Sequence, residues 1–275
     1  MILRTDFAAI DTEIKQAVEV TLDNLRVANQ NNYLLLLADA EYKPEYASQN
    51  SQLNPHVIEN KMDWYRDESR IRFLADFLST FYAFPNTQVQ TDDHPQRMHM
   101  QLMVYTHIWE SKSFLKKLYR VAHLVNNEDY AWTVNLPDMS KHDFIRNDIR
   151  QIFQNKGNHL SEVIRKGFHT SLRNAFAHSE YFFDTMNQNR RIILDNYNGT
   201  PWELDQIGYD DWSRRFVYSA LLSYYLFNIS HTKRQSLIQD LGTHVYPINL
   251  PDKKGGSSIV NIQYRKEHDL FNFQP

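Results

Sequence analysis

Apolar residues recur every three to four positions along most of this chain, the spacing of amphipathic helices. Ile10, Ile14, Val18, Leu22 and Leu25 predict a helix over residues 6–29, broken by the polar run Asn29–Asn32. Residues 41–62 lose the pattern. They are rich in Asn, Gln and Ser, contain Pro44 and Pro55, and read as a loop or lid. Ile71, Leu74, Leu78 and Phe81 restore helical spacing over residues 64–84, with Pro85 as the stop. Asp92-Asp93-His94-Pro95 is a start signal, because proline suits the first helical position. The helix it opens is expected to continue to Val125, burying Leu102, Tyr105, Trp109, Leu115, Leu118 and Val121, and to end at Asn126-Asn127.

Ser140 and Asp143 have the spacing of a capping box and predict a helix to about residue 155, ended by Gly157. Another helix is expected over residues 158–177, with Ile164, Phe168, Leu172 and Phe176 on one face. Tyr181–Asp184 and Arg191–Leu194 are β-prone runs on either side of an Asn-rich turn, which predicts a hairpin. A long helix over residues 211–237, capped by Asp210, follows. The tail, residues 238–275, holds a flexible turn at Lys253–Ser258 and one short strand over residues 259–264. No internal repeat is visible. The expected fold is one mainly α domain over residues 1–275 with a small β-hairpin appendage.

Composition narrows the chemistry. Hydrophobic residues are 42% and charged residues 23%, the balance of a globular protein with a true core. Only seven glycines argue against a Gly-rich nucleotide loop, and no Gly-x-Ser-x-Gly elbow is present. The absence of cysteine removes disulfides, thiolate metal sites and thiol nucleophiles. The N-terminus lacks the apolar run of a secretory signal, and no apolar stretch reaches membrane-spanning length. A soluble cytoplasmic protein without a membrane partner is expected.

Ser171-Leu172-Arg173-Asn174-Ala175-Phe176-Ala177-His178-Ser179-Glu180-Tyr181 carries the most chemistry. A guanidinium cannot lose its proton and offers a fork of donors to phosphate oxygens. An imidazole can take a proton from a ribose 2′-hydroxyl and return one to a leaving 5′-oxygen. Arg173 and His178 are therefore candidate catalytic groups, with Asn174 either orienting His178 or holding a non-bridging oxygen. Asn174 and His178 are four apart and share a helical face, whereas Arg173 lies about 140° round from His178. His169, Glu180 and Tyr181 are candidate substrate-binding residues. His169 reads more readily as a partly exposed surface histidine, and Tyr181 equally as a packing residue. Residues 141–191 hold nine Lys/Arg against five Asp/Glu, a basic segment in a chain of net charge −3. An ordinary solvated helix face explains that surplus just as well.

Arg173-Asn174-Ala175-Phe176-Ala177-His178 resembles the Arg-x4–6-His signature of the HEPN superfamily (higher eukaryote and prokaryote nucleotide-binding domains), in which Asn is common after the Arg. The resemblance implies a HEPN-like helical bundle over roughly residues 95–237, with residues 1–90 as a helical extension. It implies homodimers with facing motifs, metal-independent cleavage of RNA without a cofactor, and roles as toxins or antiphage-defence effectors, with an antitoxin or regulatory protein as partner. It equally implies a non-catalytic module binding RNA, a nucleotide or a protein. In a subset of the family a tyrosine stands two residues after the histidine; here Tyr181 stands three after.

Other candidates carry less. Glu110 could orient a base, but a solvent-facing position suits it better. His94 and His99 do not share a helix face and make a poor metal pair. The aromatic run over residues 218–227 has the spacing of core.

Overall fold

The computed structural model describes residues 2–49, 54–58, 61–84, 94–186, 189–195, 203–252 and 256–274. The chain is mainly helical with small antiparallel sheets. Helix α1 (Arg4–Ala28) is followed directly by α2 (Gln30–Leu37), because the Asn29 side chain accepts from Asn32 N at 3.0 Å and caps a second helix where only a break was expected. The expected loop or lid holds β1 (Glu41–Tyr42), α3 (Pro44–Gln49) and β2 (His56–Val57), with β1 and β2 antiparallel. Then come α4 (Lys61–Phe81), α5 (Pro95–Glu110) and α6 (Lys112–Val125). His94 Nδ1 accepts from Gln96 N at 3.2 Å and caps α5, with Pro95 in its first turn as expected. Asp92, Asp93 and Pro85 lie outside the described residues.

The helix expected from 95 to 125 is two helices. Ser111 is extended (φ −65°, ψ 114°), and the stripe from Leu102 to Val121 stays buried across the break. Residues 141–155 form α7 (Lys141–Asp143), a π-helical segment (Phe144–Arg150) and α8 (Gln151–Asn155). Ser140 is left-handed (φ 57°) and its side chain makes no cap, so the capping box is not formed. The helix expected over 158–177 is also divided, into α9 (Leu160–Gly167) and α10 (Thr170–His178). The predicted hairpin exists as β3 (Tyr181–Asp184) and β4 (Arg191–Leu194), pairing Tyr181 with Leu194 and Asp184 with Arg191, and β5 (Gln206–Gly208) adds a third strand. Helix α11 (Tyr209–Leu241) starts one residue before Asp210, with Gly208 as its cap, and stops at left-handed Gly242 (φ 69°). The tail is a sheet of β6 (Val245–Pro251), β7 (Ser257–Arg265) and β8 (Leu270–Phe273), larger than the single strand expected.

One buried cluster runs from Ile2 to Phe271. Its spine is α11, which packs against α1, α2, α4, α5, α9 and β5. Three polar pairs inside this core satisfy one another, as burial favours. Trp212 Nε1 donates to Gln101 Oε1 at 3.0 Å, Gln101 Nε2 donates to Tyr82 OH at 3.0 Å, and Trp109 Nε1 donates to Ser219 Oγ at 3.0 Å. Gly167 lets α9 cross α11 closely: a Cβ there would stand 3.1 Å from Ser219 Oγ and 3.3 Å from Ser219 N. At the other end of α11, buried Arg234 donates to Leu37 O at 3.2 Å and pairs with Asp269 and Asp39, tying the C-terminal sheet to the helices.

Candidate functional site

The motif helix α10 has nine residues, and its start is set from outside. Phe168 and His169 are extended (φ −88°, ψ 139° and φ −146°, ψ 129°) and separate it from α9. Phe168 is buried with its ring 4.9 Å from that of Trp109. The backbone groups freed by the break are taken up by two side chains remote in sequence. Arg215 Nη1 donates to Phe168 O at 3.0 Å and Arg165 O at 3.2 Å, and Tyr105 OH accepts from His169 N at 3.0 Å.

His169 is half-buried. Its Nδ1 accepts from Ser171 N at 3.2 Å, the N-cap contact usually made by Ser or Asp. This bond requires an unprotonated Nδ1. Burial, with the nearby Arg215 charge, holds the imidazole below its ordinary pKa. His169 and His178 stand at opposite ends of α10, about 13 Å apart along its axis.

Arg173 is mostly buried, its side chain 16% exposed. One terminal nitrogen donates to Glu110 Oε1, the other to Asn174 Oδ1 at 2.8 Å. Lys141 Nζ lies 3.0 Å from Glu110 Oε2, so one carboxylate joins the cations of α7 and α10. Glu110 is therefore neither a solvent-facing acid nor the orienter of a base: it holds the motif arginine. Asn174 likewise uses its carbonyl on Arg173 rather than on His178.

His178 is the last residue of α10 and is exposed, with exposed Ala177 and Ser179 beside it. No hydrogen bond joins its ring to another described residue. Ser179 is left-handed (φ 59°), and Glu180 N donates back to Ala175 O at 2.8 Å, which ends the helix sharply. Tyr181 consequently starts β3 instead of following His178 around a helical turn. Its hydroxyl lies 3.2 Å from His99 Nδ1, and its ring packs edge-on against Phe176 at 5.2 Å. Burial raises its pKa. Glu180 is half-buried, and Asp195 N donates to its carbonyl at 2.8 Å. Arg173 and His178 are separated by about 7.5 Å along the helix axis and 140° around it. The structure thus brings Arg173 together with Asn174, Glu110 and Lys141, and leaves His178 facing solvent.

The basic surplus of residues 141–191 is largely matched by acids. Arg146 pairs with Glu203, Arg165 with Glu162, Lys166 with Glu13 and Arg191 with Asp184. Glu13 also accepts from His159 Nε2 at 2.9 Å and from Tyr218 OH at 2.6 Å. Burial alone would raise the Glu13 pKa, but these donors with Lys166 outweigh it and hold it low.

Sequence reasoning missed Lys141, Tyr105 and Arg215. The only signal for them was residue type, since each is a cation or hydroxyl on an otherwise apolar face. Among the described residues no group of three or more His, Asp or Glu could hold a metal ion, and no helix is long and apolar enough to cross a membrane. Comparisons of the chain with protein-family models, with curated proteins and with solved structures find no match.

Proposed function

We propose that this protein is a metal-independent endoribonuclease of HEPN type, with α5–α11 as a HEPN-like helical bundle. The observation that carries the reading is the placement of the motif on α10. One short helix presents His178 to solvent at its end and holds Arg173 in a fixed direction through Glu110, Lys141 and Asn174.

His178 takes the proton of a ribose 2′-hydroxyl. The 2′-oxygen attacks the adjacent phosphorus, the bond from phosphorus to the 5′-oxygen breaks, and a proton returns to that oxygen. The products are a 2′,3′-cyclic phosphate and a 5′-hydroxyl. Arg173 stabilises the charge that builds on the non-bridging oxygens. In a homodimer with facing motifs, one imidazole serves as base and the other as acid. His169 is the capping residue of α10 in this reading, so substrate contact falls to Tyr181 and Glu180 on the far side of the helix end. A role as toxin or antiphage-defence effector, acting in the cytoplasm under an antitoxin or regulatory partner, completes the proposal.

The test is incubation of the purified protein with mixed RNA in EDTA. Cleavage that leaves 2′,3′-cyclic phosphate ends and is abolished by His178→Ala supports the enzyme. RNA left intact by the wild-type dimer, with measurable salt-sensitive binding, overturns it in favour of a second reading, a non-catalytic binding module. One observation favours that second reading: the donor fork of Arg173 is already engaged by Glu110 and Asn174. Growth arrest on expression, relieved by His178→Ala, would support the toxin role.

A further inference from the structure

Two cavities adjoin where α4, α5 and α6 meet. One, of about 520 Å³, has an apolar bed that includes Ile71, Phe73, Leu74, Met103, Val104 and Phe227. The other, of about 440 Å³, lies at the α5–α6 junction and is lined by Arg70, Lys112, Lys116 and His107 together with the hydroxyls of Ser111 and Ser113. Arg70, His107 and Ser111 line both, so the apolar bed and the cationic end are neighbours that share an edge. Volumes of this size are those of small-molecule sites.

The charges at the polar end favour an anion. Among the described residues its two carboxylates are matched by cations: Glu41 pairs with Lys116, and Glu110 with Arg173 and Lys141. Lys112 is exposed and makes no salt bridge with a described residue. Arg70 Nη1 donates to Ser113 Oγ at 2.8 Å, which aims its guanidinium at the same junction. The first turn of α6 opens there, so its dipole adds to an attraction that the side chains already create.

The bed favours a hydrocarbon. Phe73 and Met103 are 52% and 72% exposed, a large apolar surface left uncovered beside the cationic end. No carboxamide or carboxylate lines this cavity among the described residues, so the side chains that pair with the edges of adenine and cytosine are not found there.

We infer that the two adjoining cavities together form a binding site for a free anionic amphiphile, a phosphate or carboxylate head on an alkyl body. The head meets Arg70, Lys112 and the serine hydroxyls, and the alkyl chain covers Phe73 and Met103. The site does not depend on the nuclease reading, since it uses neither Arg173 nor His178.

The test is calorimetric titration of the full chain with decyl phosphate below its micelle concentration, beside inorganic phosphate, decanol and AMP. Decyl phosphate should bind at least ~10-fold more tightly than inorganic phosphate or decanol, because a charge-assisted contact and an apolar contact each contribute about a decade. Lys112→Gln and Met103→Asp, both at exposed positions, should each weaken it ~10-fold with the melting temperature unchanged. Decanoate binding comparably would extend the head to carboxylates. Equal binding of decyl phosphate and inorganic phosphate, or of decyl phosphate and decanol, overturns the bipartite site. Tighter binding of AMP replaces the alkyl body with a nucleobase and also overturns it, as do two variants that bind like the wild type.

Discussion

Replacing Arg173 with alanine removes the guanidinium that Glu110 and Asn174 share, and leaves Glu110 with Lys141 alone. The cost follows from exposure. Exposed ion pairs contribute about 0.2–1 kcal/mol, and breaking a buried one costs about 3–5 kcal/mol. With side chains 16% and 30% exposed, the Arg173–Glu110 pair falls between these limits, at about 2 kcal/mol. For a chain of this length that is a loss of roughly 3–4 °C in melting temperature. His178→Ala at an exposed position should stay within about 0.5 kcal/mol of the wild type. Urea unfolding of the wild type, Arg173→Ala, Glu110→Ala and the double variant yields the coupling energy, expected at about 1–2 kcal/mol. A coupling below about 0.3 kcal/mol would show that the carboxylate does not hold the arginine. A destabilised His178→Ala would show that this ring is a packing element rather than a solvent-facing base.

Three further outcomes are expected. Arg234→Ala should destabilise by about 3–5 kcal/mol in urea titration, because it removes the buried cation that Asp269 and Asp39 share and the donor to the Leu37 carbonyl; a loss under about 1 kcal/mol would refute this. Burial raises the Asp269 pKa, but His231, Arg234 and Tyr264 outweigh it and hold the carboxyl well below its ordinary value. A depressed carboxylate stabilises above its unfolded pKa of about 3.9 and loses that contribution as pH falls toward the folded value. Stability should therefore drop on acidification below about pH 4, and less steeply in Asp269→Asn. The depressed pKa of His169 acts in the same direction: its cap on Ser171 N is intact above the unfolded value of about 6.5 and is lost as pH falls through the folded value. Hydrogen exchange of the Ser171 amide, relative to its intrinsic rate, should then accelerate as pH falls below the ordinary histidine range, and His169→Asn should abolish the acceleration.

Much of the fold was legible where the cause is local. The stripe from Ile10 to Leu25 set α1, Pro95 set the start of α5, and two β-prone runs set the β3–β4 hairpin. The break at Phe168–His169 was not legible, because what sustains it is Tyr105 on α5 and Arg215 on α11. Periodicity ran straight through it, since Ile164, Phe168, Leu172 and Phe176 are all buried on either side. The same holds at Ser111. The missed strand β6 did carry a signal: Tyr246, Ile248 and Leu250 alternate with exposed residues, the period of a half-buried strand. At the candidate site, sequence picked out Arg173 and His178 but not the grip on Arg173, because Glu110 is 63 positions away from it.

The position of α11 after every helix it packs against bears on synthesis. Ribosomes deliver the spine late: at about 5–20 residues per second, roughly 10–40 s separate the emergence of Ala28 from that of Leu241. During that interval the earlier helices lack the partner that α11 provides and depend on chaperones or one another. The turn that starts α10 also waits for Arg215, so a nascent chain carries Arg173 and His178 before the scaffold that aims them is complete.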